Sequence, residues 1–154
     1  MRALGNGIAP TILTGNFTAT LLGVVSTPTA TMNYTIQQYV NANNAITGWG
    51  QFVTLSLGNS TLLGTSTGNS MQVSGLPSIL NGLAANNNYT VPCMVEDNGI
   101  ILLGTCDVSG NANLVFNLLD TSIVANRIIE NSTGFTSSGS KGLPLGWFIQ
   151  YPLA

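Results

Sequence analysis

Apolar and polar residues alternate along much of this chain with a period of two. In Gln51-Phe52-Val53-Thr54-Leu55-Ser56-Leu57, the residues Val53, Leu55 and Leu57 fall on one face with Trp49 two steps earlier. That is the pattern of a half-buried β-strand. Tyr34, Ile36, Gln38 and Val40 share a face in the same way, as do Tyr89, Val91, Cys93 and Val95. Trp147, Ile149 and Tyr151 form a last, aromatic face. Two segments break the alternation: residues 100–103 (Ile-Ile-Leu-Leu) and 114–119 (Leu-Val-Phe-Asn-Leu-Leu) are apolar on both sides. Such segments suit central strands covered on both faces, or strands whose outer face meets another subunit.

Turn residues punctuate these runs. With 18 Gly and 6 Pro, breaks fall at Gly48, Gly58-Asn59, Gly64, Gly68-Asn69, Gly75, Asn81-Gly82, Asn98-Gly99 and Gly110-Asn111. The spacing is close to the roughly 8–12 residues of short-stranded sandwiches. Helices have little room: residues 78–85 are few and contain Gly82, and 118–127 are rich in β-branched residues. The predicted class is all-β, an antiparallel β-sandwich or jelly roll. Leu-Leu-Gly recurs at Leu21, Leu62 and Leu102, but the residues between the copies do not align. We read it as repeated strand-to-turn chemistry and not as propeller blades.

Residues 1–31 differ from the rest. They pass through Gly5, Gly7, Pro10, Gly15 and Pro28 with a small-residue, Thr-rich composition and weak alternation. This predicts an extended N-terminal arm ahead of a sandwich domain spanning 32–154, with Ile8, Ile12, Leu13 and Phe17 as its apolar attachment points. The alternative is that residues 17–25 supply an ordinary first strand of the same sandwich.

Composition sharpens the functional question. The 154 residues include Lys+Arg 3, Asp+Glu 5 and no His, so 5% are charged where roughly 25% is usual. Without imidazole, Ser-His-Asp and Cys-His nucleophile activation cannot be assembled, and the commonest zinc ligand is missing. Arg2, Arg127 and Lys141 are too few to neutralise a row of phosphates, which argues against nucleic acid as a partner. Mean hydropathy is +0.34, yet Ser, Thr, Asn and Gly interrupt every apolar run well short of a membrane span. The positive value reflects missing charge, and no membrane insertion is expected. The start lacks the apolar block of a secretory signal. Cys93 and Cys106 are the only cysteines. A hairpin turn at Asp97-Asn98-Gly99 would place them about two residues out of register, which favours two free thiols over a bridge. No cofactor or metal is expected.

The run from Trp49 to Leu57, followed by Gly68-Asn69-Ser70-Met71-Gln72-Val73-Ser74-Gly75-Leu76-Pro77, resembles the small β-domains of phage virion structural proteins. Gly146-Trp147-Phe148-Ile149-Gln150-Tyr151 is similar to their closing strand. The resemblance covers residues 32–154. It implies a TNF-like jelly roll that trimerises, either on the capsid exterior as decoration, cement or head spike, or at a fibre tip. It also implies a homotrimer whose axis is packed by Trp147, Phe148, Ile149 and Tyr151. The physics agrees: a chain this poor in charge with two-sided apolar strands exposes apolar patches as a monomer, and such patches normally mark subunit contacts.

The expected function is therefore that of a non-enzymatic virion protein assembled in the host cytoplasm. Its arm would grip the major capsid protein or a neighbouring subunit by β-augmentation. The start at Met1 with no upstream shaft fits a copy added directly onto a lattice. The alternative is a receptor-binding tip that recognises host surface glycans through Asn, Thr and aromatic side chains. An enzyme would have to draw on Glu96, Asp97, Asp107, Asp120 and Glu130. A glycosidase needs two carboxylates roughly 5–9.5 Å apart, and only Asp107 with Glu96 or Asp97 offers a pair.

Overall fold

The computed structural model describes residues 11–40, 46–80, 89–108, 112–119, 123–124, 127–128 and 134–153. The alternation becomes twelve strands: β1 (Thr11–Leu22), β2 (Thr29–Val40), β3 (Ile46–Ser56), β4 (Leu62–Thr65), β5 (Met71–Ser74), β6 (Tyr89–Asp97), β7 (Ile100–Val108), β8 (Leu114–Leu118), β9 (Ile123–Val124), β10 (Arg127–Ile128), β11 (Ser140–Leu143) and β12 (Phe148–Leu153). The first helical candidate contributes a single 3-10 turn, Ser78–Leu80, its remaining residues 81–85 lying outside the described ones. The described part of the second holds the end of β8, strand β9 and the first residue of β10.

Ten strands form one antiparallel sheet in the order β12-β3-β2-β1-β5-β8-β7-β6-β11-β4, curled as a half-barrel, while β9 and β10 pair separately. The chain is all-β and sandwich-like, as its pattern predicts. Rows of apolar residues cross the concave face. Leu55 stands between Tyr34 and Ile149, and Val53 between Ile36 and Tyr151. In the other half, one row runs Met71, Phe116, Cys106, Val91. Nearly all of these are buried, with Tyr34 and Val91 partly so, each fully buried side chain contributing about 1.5–3 kcal/mol. The outward row Thr35, Thr54, Gln150 is polar.

The predicted arm is corrected from Thr11 onward. β1 pairs with β2 from Thr11 to Thr20 and with β5 from Thr20 to Leu22, and Ala19 and Leu21 are fully buried. A domain boundary at 31/32 would cut β2 in its third residue. The strand hides from a hydropathy reading because much of its core face is small or polar (Gly15, Ala19), and its stability comes from backbone pairing on both sides. Residues 1–10, Ile8 included, lie outside the described residues.

Two sequence signals acquire a physical basis. Asn98 and Gly99 both have positive φ, 51° and 76°, and form the two-residue turn that joins Asp97 to its partner Ile100. Both Gly-Leu-Pro copies begin at glycines with positive φ against a neighbouring strand. A Cβ on Gly75 would run into the Thr18 carbonyl oxygen, and one on Gly142, which opens the second copy at 142–144, into that of Leu62. Each glycine lets the chain turn while the next leucine, Leu76 or Leu143, enters the core.

Candidate functional site

Where β12 curls back toward β6, the half-barrel stays open. The opening is an apolar groove of about 430 Å³, lined on one side by Val91, Pro92, Cys93, Met94 and Leu103 and on the other by Pro144 to Gln150. Among the described residues no charged side chain lines it. Period-two geometry explains what it exposes. Trp147, Ile149 and Tyr151 point inward and are at most 2% exposed, whereas Phe148 between them is 65% exposed. Leu145 stands out beside it at 67%. Across the groove, Met94 and Leu103 are directly paired and both exposed. The apolar surface continues along β7 through Ile100, Ile101 and Leu102, because β8 covers β7 only from Gly104 onward.

This placement corrects the interface expected for the last strand. Trp147, Ile149 and Tyr151 fill this chain's own core, where the Trp147 ring meets Phe116 edge-on at 5.9 Å; only Phe148 is left accessible to a neighbour. Of the arm residues, Ile12 and Leu13 are exposed at the start of β1 and Phe17 packs partly against the core. Sequence reasoning missed Met94, Leu145 and Pro92. The two-sided apolar run 100–103 was the available signal, since it marked β7 as a strand with an outer apolar face.

The floor of the groove contains Cys93 and Trp147. The cysteines are two residues out of register, Cys93 opposite Gly104 and Cys106 opposite Val91, and both thiols are free. Burial pushes the Cys93 thiol up to about 12, although the Trp147 indole beside it favours the thiolate. Burial likewise raises Cys106 and Tyr151. Neither thiol has the lowered pKa of a nucleophile. The buried Trp147 Nε1 lies beside the Cys93 thiol and meets no oxygen acceptor among the described residues.

The carboxylates are engaged elsewhere. Asp97, 5% exposed, accepts from the Thr136 amide at 3.1 Å and its hydroxyl at 2.9 Å, and Glu96 accepts from the Ser140 hydroxyl. Asp107 accepts from Thr90 Oγ1 at 2.7 Å and Asn117 Nδ2 at 2.9 Å. Asp97 pairs with Ile100, seven positions along β7 from Asp107 and so about 23 Å from it at ~3.3 Å per residue. The structure does not bring together the carboxylate pair that a glycosidase requires from these three acids; Asp120 and Glu130 lie outside the described residues. Among the described residues no cluster of three metal-ligating side chains occurs, and no helix is long and apolar enough to cross a membrane.

Lys141 is fully buried and donates from Nζ to the carbonyls of Gly68 at 2.7 Å and Ser70 at 2.8 Å, with the Phe135 ring 5.6 Å away. Desolvation lowers its pKa, and Asp97 acts in the opposite sense. These bonds fasten β11 to the loop before β5, beside a cleft of about 200 Å³ lined by Asn69, Asn117 and Phe135. Phe135 and Phe116 are buried there, so the cleft offers amides but no open aromatic face for a sugar ring. The chain matches no known protein family, and no curated protein is significantly similar to it.

Proposed function

We propose that this chain is a non-enzymatic assembly protein of a virion, a homotrimeric decoration or head-spike protein that binds the capsid exterior. The observation that carries the reading is the groove with its surroundings: Met94, Leu103, Leu145 and Phe148 stand exposed at an apolar groove, and Ile100, Ile101 and Leu102 are exposed further along β7. Monomers rarely leave such a surface open, and subunit contacts are its usual destination. The resemblance of residues 32–154 to phage virion β-domains supplies the biological setting. The core-facing aromatics supply a rigid frame, so the exposed residues are held in place before any partner arrives.

Cryo-EM of particles carrying this chain tests the proposal. Density in threes over the shell is the expected result. Density confined to the tail end would replace it with the glycan-binding tip, and particles that never carry the chain would end the virion reading altogether.

A further inference from the structure

The groove is bounded by two strands whose backbones lack partners on the facing side. Among the described residues β12 ends the sheet beside β3, and β6 pairs with β11 at Glu96 and Asp97, leaving 89–95 bonded to β7 alone. Unpaired edges of this kind invite an added strand. Each carries a proline, Pro92 on β6 and Pro152 on β12, which removes a donor and prevents sheet extension from running on indefinitely. On the floor between these edges lies Trp147, its buried indole beside the Cys93 thiol. The site therefore fits an extended, uncharged segment with apolar side chains and free carbonyls.

This chain contains such a segment. Residues 3–10, Ala-Leu-Gly-Asn-Gly-Ile-Ala-Pro, carry no charge and immediately precede β1. Ten residues extend at most about 33–36 Å, enough to reach an adjoining molecule. Register decides whose groove is in line. Thr11 lies on the row Gln38, Gln51, Leu153, at the far end of β12, whereas Phe148 beside the groove lies on the row Ser56, Asn33, Asn16. Followed backward from Asn16 to Thr11, β1 thus runs away from its own groove.

We infer that the groove of one copy receives residues 3–10 of a second copy, whose apolar side chains fill it and whose backbone pairs with an open edge. Such a contact is head-to-tail and closes when three copies form a ring. The inference rests on the groove being an assembly surface, as proposed above, but concerns copies in solution. Its failure would leave shell attachment standing, and an undecorated shell would leave the ring standing.

The test uses the full chain. Ile8→Cys with Leu145→Cys is mixed with an isotope-labelled copy of the same variant and oxidised, and disulfides are read by mass spectrometry. Bonds between labelled and unlabelled chains should form at least about tenfold faster than in the control Ile8→Cys with Thr67→Cys, whose second site is exposed beyond the end of β4 that pairs with Ser140, away from Leu145. Bonds confined to single chains, or a rate no greater than the control's, overturn the inference. As a second measurement, Leu145→Ser changes an exposed residue and should weaken self-association at least about tenfold by sedimentation. An unchanged mass distribution also overturns it.

Discussion

Lys141 places an ammonium group in a core built almost without charge, held by two carbonyl oxygens and a phenyl ring. Lys141→Met keeps the length of the side chain but leaves the Gly68 and Ser70 oxygens without their donor. Urea unfolding should show a loss of about 1–3 kcal/mol. Alkaline pH acts on other buried groups. Cys93 and Cys106 have folded pKa values raised above 9.0, and Tyr151 above 10.0. Their stabilisation is complete below about pH 9 and is lost as pH rises toward the folded values, because the unfolded chain gives up these protons first. Lys141 works the other way: its lowered pKa makes the folded state release a proton before the unfolded chain does near 10.5, which raises stability over that interval. Three groups outweigh one. Unfolding midpoints should fall between about pH 8 and about pH 11, and Cys106→Ala should flatten that fall while lowering the midpoint at pH 8.

At the scale of elements, the close approach at Gly142 sets a strict demand. A methyl group there meets the Leu62 carbonyl, which is backbone and cannot swing aside. Gly142→Ala should therefore part β11 from β4 and lower stability by about 2–4 kcal/mol in chemical denaturation. Elements were legible wherever alternation involved large residues. Val53, Leu55 and Leu57 marked their strand, and Asn98-Gly99 marked its turn from sequence alone. β1 was harder to recognise because Ala19 is buried without being strongly hydrophobic and Gly15 carries no side chain. What holds that strand is its two neighbours, and neighbours far away in sequence leave no local trace. The same reason hid the groove: Met94 and Leu145 come from distant segments, and nothing near either one announces the other.

For the whole molecule, the internal position of β1 turns truncation into a severe perturbation. Removing residues 1–31 takes away the strand between β2 and β5, so the half-barrel is split and Val73, Met32 and Ile36 lose their cover. The shortened protein should lack the cooperative thermal transition of the full chain in circular dichroism. A cooperative transition in that protein would show that β2 and β5 can rejoin without it. Strand order also has a bearing on synthesis. β3 gains its second neighbour only when β12, nearly a hundred residues later in the chain, arrives; β4 likewise waits for β11. A ribosome making this protein at roughly 5–20 residues per second holds β3 half-paired, and β4 without its strand partner, for several seconds. During that interval the nascent chain displays Val53, Leu55 and Leu62 to solvent, and holding chaperones are its natural first company.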